Sequence, residues 1–320
     1  MSDVAILGAG AFGTALAISL AGAGQRVSLW ARDGAHVTQM QADRENIARL
    51  PGFALPAYVS LTQDLATITA PIVVITVPMQ ALREFLAENA AYLSQKTLIA
   101  ACKGIDLATG AGPIALIQSA CPDAHAAMLS GPSFAADIAA GLPTALTLAA
   151  GDDATAAALQ DALSTDNLRI YRSTDRIGVE LGGALKNVIA LAAGMSMGAG
   201  LGESARAALM TRGYAEMLRF ATAQGAQPAT LAGLSGLGDL VLTCTSQKSR
   251  NYSHGLMLGA GQPPQKATVE GVATARAVTD IAKTRGIDMP IAAAVAAVLA
   301  QELTIPEAMK ALLSRPLKKE

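Results

Sequence analysis

The 320-residue chain is poor in aromatic and charged side chains, with 3% Phe, Trp and Tyr and 15% Asp, Glu, Lys and Arg. Because 52% of it is nevertheless hydrophobic, the core must be built from small aliphatic residues, which favours close helix packing. The 24 Lys and Arg balance 25 Asp and Glu, so no basic field attracts nucleic acid or an anionic membrane. The C-terminal cluster Arg315, Lys318 and Lys319 reads as a solvated tail. Cys102, Cys121 and Cys244 are odd in number and lack CxxC or metal-ligand spacing. They exclude a disulfide framework and read as reduced, mostly buried thiols of a cytoplasmic protein. No cluster of His, Asp or Glu is spaced to hold a metal. The first strand-like run begins at Val4, so no signal peptide is expected. The uncharged stretch Leu65 to Leu82 has the length of a membrane helix. However, Pro71 and Pro78 bracket its β-branched centre, Ile72 to Val77, which reads as a buried parallel strand. No integral membrane segment is expected.

By length, about two domains of roughly 150 residues are anticipated. Strand-like runs recur up to about residue 173: Val4–Leu7, Arg26–Trp30, Ile72–Val77, Thr97–Cys102, Ala127–Ser130, Thr144–Ala149 and Leu168–Tyr171. Their alternation with helical or loop segments predicts an α/β fold, a Rossmann-type doubly wound sheet over residues 1–178. From residue 179 to 320 Ala/Leu/Met-rich stretches dominate, and an all-helical domain is expected. Its helices are anticipated over Val179–Met197, Glu203–Gln224, Thr274–Arg285 and Ile291–Glu302. A last short helix has Thr304 as its cap and Pro306 in its first turn.

Gly8-Ala9-Gly10-Ala11-Phe12-Gly13 lies between the first strand and a helical stretch, Ala11 to Ala23. That order is the strand–turn–helix of a dinucleotide-binding unit. Gly8 permits the tight turn, Gly10 lets a pyrophosphate approach the backbone, and Gly13 lets helix and strand pack closely. Free N–H groups at the helix start favour the phosphate charge. The second strand ends Trp30-Ala31-Arg32-Asp33. Arg32 suits a 2′-phosphate through its forked donors, which favours NADPH. Asp33 leaves NADH open through the ribose hydroxyl, and a merely solvated Arg32 is the alternative.

Chemistry-bearing residues recur further on. Lys103 ends a strand facing the cofactor side, or is a cap or surface lysine. Ser130-Gly131-Pro132-Ser133-Phe134-Ala135 is a turn of small residues that brings backbone near a ligand, or an ordinary turn. Lys186 and Asn187 stand in an apolar helix, where a charge is costly unless paired or used. At helical spacing Gly183, Lys186, Asn187, Ala190 and Gly194 share a face. Such small residues leave room for a substrate and desolvate the amine, lowering its pKa toward an acid/base range. A lysine snorkelling to solvent is the competing reading. Gly233 to Leu240 carries Asp239 in a Gly-rich turn. Ser249-Arg250-Asn251 combines charge with neutral donors as a phosphate grip. Glu270 by itself is a loop carboxylate.

Together GAGAFGTALA, ACKG, GPSFA, LKNV, GLGDL, SRN and VEG, in that order, resemble soluble prokaryotic-type NAD(P)-dependent glycerol-3-phosphate dehydrogenases. The resemblance runs from residue 4 past residue 271. It implies a Rossmann domain, a helical domain and a homodimer. It also implies interconversion of dihydroxyacetone phosphate and sn-glycerol 3-phosphate for phospholipid synthesis. Carried over by motif, Lys186 is the general acid/base, and Lys103 touches both cofactor and substrate. Gly131, Ser133, Asp239, Ser249, Arg250 and Asn251 join the two lysines at the substrate. Ala11, Phe12, Arg32, Ala135, Arg250 and Glu270 line the cofactor, with Thr268 assigned from the register just before Glu270. The segment between Asn251 and Glu270, through Gly259 to Pro264, is shorter than the family's usual loop. Two other functions stay open: a related reductase without the phosphate grip, and a catalytically silent NADP-binding sensor needing neither lysine.

Overall fold

A computed structural model describes residues 3–263 and 268–316. Pro264, Lys318 and Lys319 lie outside the described residues. Eight strands form one sheet: β1 (Val4–Leu7), β2 (Val27–Trp30), β3 (Val59–Thr62), β4 (Ile72–Ile75), β5 (Thr97–Ala100), β6 (His125–Ser130), β7 (Thr144–Ala149) and β8 (Leu168–Ser173). Their order is β3-β2-β1-β4-β5-β6-β7-β8. All neighbours are parallel except β6 and β7. The helices among them are α1 (Ala11–Gly22), α2 (Gly34–Asp43), α3 (Met79–Leu93), α4 (Pro113–Ala120), α5 (Ala135–Ala139) and α6 (Asp153–Leu163). The continuous apolar run of β1 is buried along its whole length, as expected of a parallel strand covered on both faces. By contrast, β3 alternates buried and half-exposed residues at the sheet edge, a pattern too short for the sequence to reveal.

The helices that follow are α7 (Arg176–Gly198), α8 (Gly202–Ala223), α9 (Pro228–Leu231), α10 (Asp239–Thr245), α11 (Arg250–Gly259), α12 (Glu270–Arg285), α13 (Pro290–Leu299) and α14 (Ile305–Leu313). A π-helical turn, Leu234–Gly238, precedes α10. The chain divides into two compact units, Met1–Lys103 with Gly112–Glu180, and Gly104–Ala111 with Leu181–Glu320. Residues 104–111 thus depart from the contiguous first domain expected from sequence. The second unit packs around α7, whose Leu185, Val188, Ile189 and Leu191 meet Met217 and Phe220 of α8 and Val278 of α12 in one cluster. Among the described residues only α7 is long and apolar enough to cross a membrane, and 89% of its apolar window is buried inside the protein. Leu65 to Leu82, the other stretch of membrane length, instead divides among a 3-10 turn, β4 and the start of α3.

Small residues set the closest approach in this unit. A Cβ on Gly194 of α7 would lie 2.1 Å from the Tyr252 carbonyl oxygen of α11, and one on Gly198 2.1 Å from that of Leu256. Reciprocally, Cβ atoms on Gly255 and Gly259 would strike the carbonyls of Leu191 and Met195 at 2.2 and 2.3 Å. Two glycines one turn apart on each helix therefore bring the backbones together. This corrects the expected role of Gly194: its space is filled by α11 and is not left for a substrate.

Local chemistry fixes the helix ends. Buried Glu216 on α8 accepts from the Ile291 and Ala292 N–H groups at 2.7 and 3.2 Å, capping α13 from outside. Thr304 and Glu307 form the reciprocal capping box of α14, with Pro306 in the first turn. Arg315, expected in a solvated tail, pairs with Asp288 at 2.7 Å.

Candidate active-site residues

In the first unit, the carboxyl ends of β1, β2, β5 and β6 lie on one edge of the parallel part of the sheet. Ligands of such sheets bind beyond that edge, where the strand order reverses. Here the reversal falls beside β1. Gly8 follows β1 with φ +122°, and Thr76 donates to its carbonyl at 2.8 Å. A Cβ on Gly13 would lie 2.1 Å from that same carbonyl oxygen, so only glycine lets α1 start so close to the strand. Gly10 differs, since a Cβ there would meet nothing within 4 Å. Gly10 is also the N-cap of α1 and supplies no side-chain cap. An open backbone at an uncapped helix start fits the pyrophosphate of a dinucleotide. Ala11 and Phe12 begin that helix, half-buried against the core.

Arg32 is exposed just past β2. Asp33 is the N-cap of α2, where its Oδ1 accepts from the Ala35 N–H at 2.9 Å and the His36 N–H at 3.4 Å. That carboxylate oxygen is committed to the helix end, which weakens the ribose role left open for it. Lys103, beyond β5, donates to the Gly131 carbonyl at 3.1 Å, joining the ACKG segment to the turn after β6. Ser133 makes a long 3.4 Å contact with the same oxygen, and Ala135 opens α5, which packs against α1.

The second unit holds a buried polar cluster. Lys186, 7% exposed, donates from Nζ to Asp239 Oδ1 at 2.8 Å and to Thr243 Oγ1 at 2.6 Å. Thr243 in turn donates to Asp239 Oδ1 at 3.2 Å. A charge in an apolar helix needs such compensation. The snorkelling alternative is thereby excluded, and the amine is ion-paired as well as desolvated. Asp239 opens α10, so the Gly-rich stretch read as a turn is a π-turn running into a helix. Close approach of that turn to α7 depends on Gly182, where a Cβ would lie 2.7 Å from the Ser235 carbonyl oxygen.

One residue along, Asn187 accepts from Asn251 Nδ2 at 2.9 Å, while Asn251 Oδ1 accepts from the Gly271 N–H at 2.9 Å. Ser249 caps α11, accepting from the Tyr252 N–H at 3.2 Å. Arg250 pairs with Glu270 at 2.8 Å and remains 57% exposed in its side chain. The SRN and VEG segments are thus joined to each other and to Asn187. Thr268 is exposed two residues before α12. All three cysteines are free and buried. Burial pushes the Cys244 thiol up to about 12 despite the nearby Lys186 charge. It therefore stays protonated and is no nucleophile.

Comparison with known proteins places this geometry. The family model for the N-terminus of NAD-dependent glycerol-3-phosphate dehydrogenase matches residues 3–156, and that for its C-terminus matches 175–310. The chain belongs to the NAD-dependent glycerol-3-phosphate dehydrogenase family. A glycerol-3-phosphate dehydrogenase (NAD(P)+) of Ruegeria sp. (strain TM1040) is 58% identical over 320 residues, covering 99% of this chain and 100% of the relative. One from Cereibacter sphaeroides is 60% identical over 318 residues, with 99% and 100% covered. The crystal structure of glycerol-3-phosphate dehydrogenase from Coxiella burnetii superposes with a TM-score of 0.93 at 36% identity, covering 98% of this chain and 99% of that one.

Within this family fold, two buried residues escaped the sequence reading. Thr243 stands four residues after Asp239, a helical spacing that puts both on one face. Asn46 carried no such signal. It is fully buried and donates to the Ala9 carbonyl at 3.0 Å and to Thr14 Oγ1 at 2.7 Å, while its Oδ1 meets His36 Nε2 at 2.9 Å. It thereby ties the glycine loop to the first turn of α2.

Proposed function

We propose that the chain catalyses NAD(P)H-dependent reduction of dihydroxyacetone phosphate to sn-glycerol 3-phosphate, reversibly, as a cytoplasmic homodimer supplying phospholipid synthesis. The observation that carries this reading is the buried Lys186–Asp239–Thr243 cluster in a chain of this family. The first unit is the dinucleotide-binding domain, with Gly8, Gly10, Ala11, Phe12, Gly13 and Ala135 holding the cofactor. When bound, NAD(P)H supplies a hydride.

As the substrate carbonyl is reduced, negative charge grows on its oxygen. Lys186 donates a proton there from Nζ and offsets the charge. Asp239 and Thr243 hold that amine in place from two sides. Arg250, with Ser249 and Asn251, anchors the substrate phosphate so that the carbonyl is presented in register. The Asn187–Asn251–Gly271 chain of hydrogen bonds holds Asn251 in orientation for that task. Lys103 adds positive charge, with Gly131 and Ser133 beside it. Arg32 takes the 2′-phosphate and favours NADPH over NADH, a preference supported by the engagement of Asp33 as a helix cap. Glu270 and Thr268 complete the cofactor contacts.

The test is NADPH oxidation followed by its absorbance, with dihydroxyacetone phosphate set against unphosphorylated and acidic carbonyls. Turnover confined to the phosphorylated triose supports the reading. Equal turnover of an unphosphorylated carbonyl, or none of the phosphate, overturns it.

A further inference from the structure

Asn46, in the loop between α2 and β3, is completely buried. Its own carbonyl accepts from the Arg49 and Leu50 N–H groups at 3.1 and 2.8 Å, which fixes the backbone where the side chain leaves it. One orientation of the amide satisfies its neighbours. The Ala9 carbonyl only accepts, so Nδ2 faces it at 3.0 Å. Oδ1 then faces His36 Nε2 at 2.9 Å, and the imidazole donates. The second Nδ2 hydrogen goes to Thr14 Oγ1 at 2.7 Å. Both donors of the side chain are used, and one of them is spent on the backbone of the glycine loop.

A trans peptide unit is planar, so its C=O and N–H point in opposite directions. Three successive carbonyls of the loop are held by the protein. Thr76 Oγ1 donates to Gly8 at 2.8 Å, Asn46 to Ala9, and the Thr14 N–H to Gly10 at 2.9 Å. The Gly10 N–H belongs to the same peptide unit as the Ala9 carbonyl, and is therefore turned away from Asn46. Gly10 is exposed, and a Cβ there would meet nothing within 4 Å, so this side of the loop is open to a phosphate.

We infer that Asn46 is a positioning residue for the cofactor: by holding the Ala9 carbonyl inward it keeps the Gly10 N–H directed at the pyrophosphate. The role rests on the first unit being the dinucleotide-binding domain and adds to it a residue that touches no nucleotide. Holding the peptide before binding removes part of the ordering cost of association. The effect concerns the pyrophosphate alone, so it is blind to the 2′-phosphate that separates NADPH from NADH.

The test is calorimetric titration of the folded full-length protein with NADPH, NADH, ADP-ribose and adenosine 2′-phosphate. The first three carry a pyrophosphate and the last does not. Two variants are compared with the wild type: Asn46→Ala, and Asn46→Asp, which keeps the size and loses the donor. In both, Kd for the three pyrophosphate ligands is expected to rise by one common factor of about 3- to 10-fold, the worth of one hydrogen bond. Adenosine 2′-phosphate is expected to bind as in the wild type. Thr14→Val removes the other Nδ2 partner and leaves Ala9 held. It is expected to lower Tm and to move no Kd, which separates positioning from stability. Unchanged Kd values in the folded Asn46 variants, equal weakening of all four ligands, or failure of both variants to fold would make Asn46 a structural residue and overturn the inference. A loss confined to NADPH also overturns it, because the effect would then run through α2 to the 2′-phosphate. A wild type that binds none of the three pyrophosphate ligands removes the dinucleotide-binding role itself.

Discussion

The two units use glycine in opposite ways. In the first, Gly10 leaves open space above the start of α1, where an added Cβ would touch nothing within 4 Å. In the second, the space beside Gly194, Gly198, Gly255 and Gly259 is occupied by backbone of the facing helix. One position leaves open space; the others admit a neighbouring helix. In sequence Gly194, like Gly10, reads as a small residue that leaves room for a ligand, and only the tertiary partner tells them apart. The consequence is a contrast that substitutions can split: a change at Gly10 should act on cofactor affinity, and changes at the packed glycines of α7 and α11 on stability.

The largest effect is expected at Lys186. Lys186→Ala removes the proton donor and should lower kcat by about 10²- to 10⁴-fold. It also takes the compensating Lys186 charge from the buried Asp239 carboxylate, at a cost of about 3–5 kcal/mol in stability. The double variant Lys186→Met with Asp239→Leu should recover most of that stability and none of the turnover. The Kd for NADPH should stay near wild type throughout, because none of the residues in this cluster is assigned a cofactor contact. Denaturant titration beside steady-state kinetics checks both halves, and wild-type turnover in Lys186→Ala would remove the lysine from the mechanism.

Arg250→Ala comes next. Loss of a hydrogen bond to a charged group costs about 1.5–3 kcal/mol. That loss should appear in kcat/KM for dihydroxyacetone phosphate and scarcely in the weak reduction of unphosphorylated dihydroxyacetone. Arg250 also pairs with Glu270. Equal losses on the two substrates would assign Arg250 to the cofactor, moving it to the other side of the comparison.

Gly194→Ala should cost about 1–3 kcal/mol by overpacking α7 against α11, seen as a lower Tm. Affinity for NADPH should not change. A variant as stable as the wild type would mean that the two helices can part without penalty.

Much of this organisation was legible in sequence, for physical reasons. Buried parallel strands read as continuous apolar runs, and β1, β4 and β5 were found that way. The bounds of β1 agree, whereas the strand-like runs at β4 and β5 each extend two residues too far, to Val77 and Cys102. The edge strand β3 escaped because an alternation of four residues is too short to stand out. The π-turn and α10 escaped because three glycines between 233 and 238 resemble loop composition, and α11 because Ser249-Arg250-Asn251 reads as phosphate-binding chemistry and not as a helix start. Lys186 stood out as a charge in an apolar helix. Asp239 stood out only within its own Gly-rich segment, and its pairing with Lys186, like that of Thr243, was not legible because separations of 53 and 57 residues leave no local trace. Asn46 is the same case over 32 and 37 residues.

A smaller effect is expected at Arg32. Arg32→Ala should weaken NADPH by about 1–3 kcal/mol more than NADH, as for hydrogen bonds to a charged group. Paired titrations with the two cofactors decide it. Equal losses would make Arg32 a solvated residue and return attention to Asp33, whose Oδ1 is already engaged in capping α2.

The contrast between the two kinds of glycine is tested most directly by the NADPH affinity of Gly10→Ala. A methyl group there meets no protein atom, so folding should be unchanged within about 1 kcal/mol. On the proposed reading it stands where a pyrophosphate approaches the backbone, so Kd should rise about tenfold or more, a loss of at least about 1.4 kcal/mol. A Gly10→Ala protein that binds NADPH as tightly as the wild type would contradict the account, because the open backbone would then not be where the cofactor lies.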